Sequence, residues 1–232
     1  GAQADYLTVS SGGTLVVAGG GETYEETVSS GGKLVISSGG LEYNGVISGG
    51  AEVVASGATI FGDSVYGGGS ALVQSGGVIS SQEVIYDGTM TVAAGGSAAY
   101  VILESGTLEV ASGGAVGTVN LWNSGGIDTL VLDAATSFHG TVAGFGAGDQ
   151  IDLEDIAFAP TLKKGQVTFS SNTLTVTDGT HTASIHLLGA YMASELVASS
   201  DGHGGTLITF TSAASTTGGN GHGNAIASPV TS

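Results

Sequence analysis

The side chains able to do chemistry in this chain are mostly carboxylic acids. Twenty Asp and Glu stand against three basic residues, Lys33, Lys163 and Lys164, with no Arg and no Cys. Cysteine nucleophiles, thiolate metal sites and disulfides are thereby excluded. A phosphate or carboxylate substrate would lack its usual cation. A formal charge of −17 argues against nucleic acid or an anionic membrane as partner. Hydrolases and lyases on β scaffolds need convergent carboxylates, often with a basic neighbour. Glu22, Glu25 and Glu26 are close in sequence, but neighbouring side chains of a strand point to opposite faces. Glu42, Glu52, Glu83 and Glu109 fall in different parts of the chain and read as members of solvated faces. No enzyme is expected.

Other groups offer ligands rather than catalysis. Asp128, Asp149 and Asp152 are hard oxygen donors of the kind calcium takes, with turn-capping as the plainer reading. No cofactor is required, and calcium is the one candidate. His139, His181, His186, His203 and His222 are scattered. The stretch DGHGG at 201–205 reads as a Gly-rich loop before it reads as a metal turn. Tyr24, Tyr43, Tyr66, Tyr86 and Tyr100 recur along the chain. Stacked outward they would make a strip for sugar rings; stacked on each other they would be structural.

What must position these groups is a repeat. Gly accounts for 43 of 232 residues and Pro for only 2, which suits many short strands joined by tight turns. Apolar residues open successive units at Val9, Val28, Val46, Val65, Val84, Val101 and Val119, with spacings of 17 to 19 residues. Within units, pairs such as Leu15/Val17, Leu34/Ile36, Met90/Val92 and Leu108/Val110 are two apart, the period of a strand with one buried face. Motifs such as SSGG, ASGA, QSGG and ASGG punctuate them, with Gly supplying positive φ. A unit this short has no core alone, but stacked units do. The expected fold is all-β, a parallel β-solenoid (right-handed β-helix) of 18–19-residue coils, six or seven in number, with a β-rich C-terminal cap.

Units such as VSSGGKLVISSGGLEYNG and VASGGAVGTVNLWNSGG resemble the repeat of AIDA-type autotransporter adhesins, over residues about 6–132. The resemblance implies a bacterial surface protein with a β-helical passenger. It also implies a partner, a dedicated glycosyltransferase that links heptose to exposed repeat serines. The matching positions are Ser10, Ser11, Ser29, Ser30, Ser37, Ser38, Ser56, Ser75 and Ser112.

After Leu132 the repeat fades. GGIDTLVL and FGAGDQIDL resemble the end segment of RTX-type and other type I secreted bacterial proteins, although the complete calcium nonapeptide is not repeated. The expected organisation is a solenoid over 1–132, a β-rich continuation or cap over 133–211, and a Gly/Ser/Thr-rich tail or linker over 212–232. Strands are expected at 166–170, 173–178, 182–188 and 206–211, and one short helix at 189–197. The chain opens on Gly1 rather than Met, as a processed or excised segment would. No apolar run approaches the ~18 residues of a membrane span, so no membrane insertion is expected.

Together these features predict a secreted or cell-surface β-solenoid for adhesion, aggregation or matrix building, meeting surface glycans or itself. Two alternatives stand beside it. One is a non-catalytic carbohydrate-binding module of a larger secreted enzyme. The other is a self-assembling filament subunit, since coils have open edges.

Overall fold

A computed structural model describes residues 2–122, 125–162 and 165–211. Lys163, Lys164, His222 and the expected tail at 212–232 lie outside the described residues.

The chain winds into a parallel β-solenoid with three strands to a coil. The first face carries Gln3–Asp5, Glu22–Tyr24, Leu41–Tyr43 and Thr59–Phe61; the second carries Thr8–Val9, Thr27–Ser29, Val46–Ser48 and Ser64–Tyr66. From Val78–Tyr86 onward these two strands fuse into one, as in Ser97–Glu104 and Ala115–Leu121. The third face is the most regular. It stacks Thr14–Val17, Lys33–Ile36, Ala51–Val54, Ser70–Val73, Thr89–Val92, Thr107–Val110, Thr129–Leu132 and Gln150–Leu153, all parallel. These eight strands span about 34 Å at ~4.8 Å per step.

Register explains the core. Val17, Ile36, Val54, Val73, Val92, Val110, Leu132 and Leu153 form one inward column of the third face, and all are buried. Each such side chain contributes roughly 1.5–3 kcal/mol on leaving water. Slipping any coil by one residue would turn its whole set outward, so the period-two pattern locks the stacking.

The parallel ladder continues past Leu132, where the sequence spacing becomes irregular. Thr129–Leu132 follows its predecessor by 22 residues and Gln150–Leu153 by 21, because longer turns are inserted between them. The chain then changes direction. Thr206–Phe210 pairs antiparallel with Gln150–Leu153, and Leu196–Ser200 pairs antiparallel with Thr206–Phe210. On the other sheet, Thr182–Leu188 pairs parallel with Thr141–Ala143 and is followed by antiparallel Thr173–Thr177 and Val167–Ser170. These strands lie over the last coil and share its core through Leu174, Val176, Ile185 and Ile208. All but Leu196–Ser200 sit within a residue of the expected positions. Their antiparallel pairing gives no support to a calcium β-roll, whose coils are parallel.

The helix expected at 189–197 is absent. Ala193–Glu195 makes a single 3₁₀ turn, and Leu196–Ser200 is a strand. Leu196 is drawn into the core, and the strand's backbone finds partners on Thr206–Phe210, which outweighs a weak local helix preference. Among the described residues no helix is long and apolar enough to cross a membrane.

Candidate functional site

The outer corners are built by the Ser-Ser-Gly-Gly motif. In Ser37-Ser38-Gly39-Gly40 the N–H of Gly40 donates to the Ser37 carbonyl at 2.8 Å, and Gly39 takes φ +74°. That is a turn with its left-handed residue third, where Gly is favoured. The turns stack: the N–H of Gly39 donates to the carbonyl of Gly57, Gly57 to Gly76, Gly76 to Gly95 and Gly95 to Gly113. A row forms along this corner in which Ser38, Ser56 and Ser75 occupy successive coils, all exposed. Ser112 extends the same corner after Ala94. A second corner carries Ser10-Ser11 and Ser29-Ser30, with the N–H of Gly12 donating to the carbonyl of Gly31. Of the nine serines, Ser29 and Ser37 are half-buried and the other seven exposed.

The remaining corner of each early coil has no such motif. A single residue of positive φ turns the chain: Tyr6, Glu25, Asn44 and Gly62. A non-Gly residue there costs ~1–2 kcal/mol, which the stacked strands on either side must over-determine. The sequence shows no marker for it except its position.

The tyrosines divide into separate groups. Tyr24, Tyr43 and Phe61 stack face to face, with centroids 4.7 and 4.8 Å apart and planes within 7°. Tyr66 and Tyr86 form a tilted pair at 5.8 Å, and the Tyr100 hydroxyl accepts from the Asn120 side chain at 3.1 Å. In the stack the faces are spent on each other and the edges look outward, so the rings present little platform for a sugar.

Asp128 and Asp149 sit one above the other at a corner. Asp128 Oδ1 accepts from the N–H of Gly106 at 3.3 Å, and Asp149 Oδ1 accepts from the N–H of Asp128 at 3.3 Å. Asp149 Oδ2 accepts from the N–H of Gly146 at 2.8 Å. Both are buried and cap turns. Asp152 is on the strand Gln150–Leu153, whose inward residues are Ile151 and Leu153, so it lies on the outer side. The structure does not gather these three aspartates into one ligand set. At 201–205 the Asp201 carboxylate accepts from the N–H groups of His203, Gly204 and Gly205 at 2.7 to 3.0 Å, a self-capped loop. The Asp178 carboxylate is held well below its usual range by the N–H and ring of His181.

Burial, followed by the charges of Asp149 and Glu104, pushes the Asp128 carboxyl up to about 6. The unfolded value is near ~3.9. Between the two, the folded state holds the extra proton. Its stabilisation is therefore full below about pH 4 and lost as pH rises toward 6. Urea midpoints measured across this window should fall with pH, and Asp128→Asn should flatten the fall. An unchanged slope in the variant would assign it to other carboxyls.

The acids read from sequence as solvated are where the structure differs most. Glu42, Glu52 and Glu83 are at most 1 % exposed, and Glu26 and Asp63 are fully buried. Glu109 alone of that set is half-buried, on the outer side of Thr107–Val110, near the Thr91 hydroxyl at 3.3 Å. Glu52 occupies the inward column of Leu34, Ala71, Met90 and Leu108. Glu42 stands in the column of Thr23 and Ile60. Carboxylate oxygens of Glu42, Glu52 and Asp63 come within 4.8 Å of one another, the one such group of three among the described residues. Aligning the repeats by register rather than by their apolar residues would have exposed Glu52, because a carboxylate there breaks an otherwise apolar column.

No known sequence family matches the chain, and no curated protein matches it. Among solved structures it is similar to a hyper-glycosylated fragment of TibA, the product of TibC catalysis. The likeness has a TM-score of 0.49 and 25% identity, and covers 64% of this chain and 68% of that one.

Proposed function

We propose that this chain is the display scaffold of a bacterial surface or secreted protein. It serves adhesion or aggregation without catalysis, and its corner serines are the sites of O-linked sugar. The observation that carries the reading is the exposed serine row Ser38, Ser56 and Ser75, set on consecutive stacked turns. Their hydroxyls recur at about the ~4.8 Å coil spacing, so a glycosyltransferase could work along a regular edge. Ser11 and Ser30 offer a shorter row on a second corner. The location of the acids also favours display, since the carboxylates that converge do so inside the core, away from any substrate. The partners under this reading are surface glycans or further copies of the chain, besides the modifying enzyme.

Protein isolated from its native bacterium should show sugar-sized mass increments on peptides bearing Ser38, Ser56 and Ser75. The triple alanine variant should lose those increments while keeping its melting temperature, because exposed turn serines contribute only within ~0.5 kcal/mol. Cells displaying the chain should clump more than cells without it. Unmodified serines together with unchanged clumping would sink the proposal.

A further inference from the structure

Besides the turn-capping Asp128 and Asp149, the solenoid interior holds five buried acids and no described counter-cation. Glu26, Glu42, Glu52, Asp63 and Glu83 are all buried, the chain has no Arg, and the described lysine, Lys33, is exposed. They belong to consecutive coils. Pairing of Thr27 with Val46, Val46 with Ser64, and Ser64 with Val84 aligns the residues just before them, so Glu26, Gly45, Asp63 and Glu83 form one column. Glu42 and Glu52 reach toward this column from the other two faces of the third coil.

Both carboxylate oxygens of Glu42, Glu52, Glu26 and Glu83, and Oδ2 of Asp63, are buried without a hydrogen-bond donor. A native interior rarely leaves such groups unmet, since each costs several kcal/mol when charged. For Glu42 and Glu52 the groups close enough to help are other carboxyls, and one carboxyl can donate to another only while protonated. Gly45 is part of the arrangement. A side chain there would collide with the Glu42 carboxylate, and its N–H donates to Asp63 Oδ1 at 2.9 Å. The absent side chain thus lets Glu42 and Asp63 approach each other.

We propose that Glu42, Glu52 and Asp63 ligate a calcium ion enclosed within the solenoid. Oxygens bound to a common calcium at ~2.4 Å lie up to ~4.8 Å apart, a limit these three carboxylates already meet. All-oxygen donors select calcium, magnesium or manganese over softer metals. The closed interior then favours calcium, because magnesium surrenders its water reluctantly and demands octahedral regularity. A divalent cation converts the mutual repulsion of the three carboxylates into attraction. Glu26 and Glu83 lie one coil to either side, and burial pushes both carboxyls above the usual carboxylate range. With the ligands fully buried, the ion enters while the third and fourth coils close, and a chelator meets it only when the chain unfolds.

The test unfolds the whole chain and refolds it in millimolar calcium, in magnesium at matched ionic strength, or in chelator. Each sample then passes over chelating resin before elemental analysis and melting. Glu52→Leu, which completes the apolar column, and Asp63→Asn are run in parallel. Wild type refolded in calcium should retain about one calcium per chain and melt roughly 5–10 °C above the chelator sample, with magnesium giving much less. A chain that refolds in calcium alone counts the same way. Glu52→Leu should fold in all three media, hold no stoichiometric calcium and melt alike in each. Wild type that emerges from calcium with under a tenth of an ion per chain overturns the site and leaves protons as the sole neutralising ligand. Equal calcium and magnesium shifts that persist in Glu52→Leu overturn it as well, by showing general screening of the negative chain.

Discussion

Leu34→Asp is expected to abolish stable folding, while Val35→Asp one residue away is expected to fold. Leu34 is fully buried on the inward side of the third face, whereas Val35 is half-buried on its outer side. The substitution at Leu34 forfeits about 2–5 kcal/mol of packing. It also places a carboxylate in the dry interior, worth several kcal/mol more. Its register partner on the next coil is Glu52, so the new charge would stand beside an existing acid. The sum rivals the ~5–15 kcal/mol that holds an ordinary domain together. At Val35 the new charge keeps its water and the cost should stay below ~1 kcal/mol. Urea midpoints followed by circular dichroism separate the two. Similar losses in both variants would mean that the coil is turned by one residue.

Gly40→Ala should rank next. Gly40 closes a corner, and a Cβ there would lie 2.5 Å from the Val17 carbonyl oxygen of the preceding coil and 3.0 Å from that of Ser37. Both contacts are backbone and cannot rotate aside. The Val17 oxygen also accepts from the N–H of Ser37 at 2.8 Å, a bond that joins the two coils. Pushing the coils apart here should cost roughly 2–4 kcal/mol, from overpacking and a weakened hydrogen bond together. Gly20→Asn is the contrast. Gly20 has φ +75°, but nothing lies within 4 Å of its would-be Cβ, and Asn tolerates that backbone region. Its loss should stay under ~1 kcal/mol. If Gly20→Asn proved the more damaging, conformational strain rather than the close approach of coils would govern these corners.

Part of the architecture was open to inspection in the residues. Leu34/Ile36 and Met90/Val92 announce strands with one buried face, and their return every 17 to 19 residues announces stacking. The final strands were readable for the same reason, since Thr173–Thr177 and Thr182–Leu188 alternate cleanly. The corner at Glu25 and Asn44 was not readable, because its positive φ is imposed by the strands it joins and not by a glycine. The stretch 189–197 misled, because its local preference was overruled by a partner strand more than ten residues away.

The sequence by itself determined that this is a stacked β coil with serine-and-glycine corners, since alternation and turn chemistry are local and repeat. It also determined that no arginine or cysteine chemistry is available. Only the tertiary structure decided which acids meet. Glu42, Glu52 and Asp63 are separated along the chain by ten or more residues, and a solvated face is the ordinary place for each. Winding the chain through three faces turns all three toward one axis, and stacking the coils closes water out around them. Proximity and burial of that kind are properties of the wound chain as a whole, and no single repeat contains them.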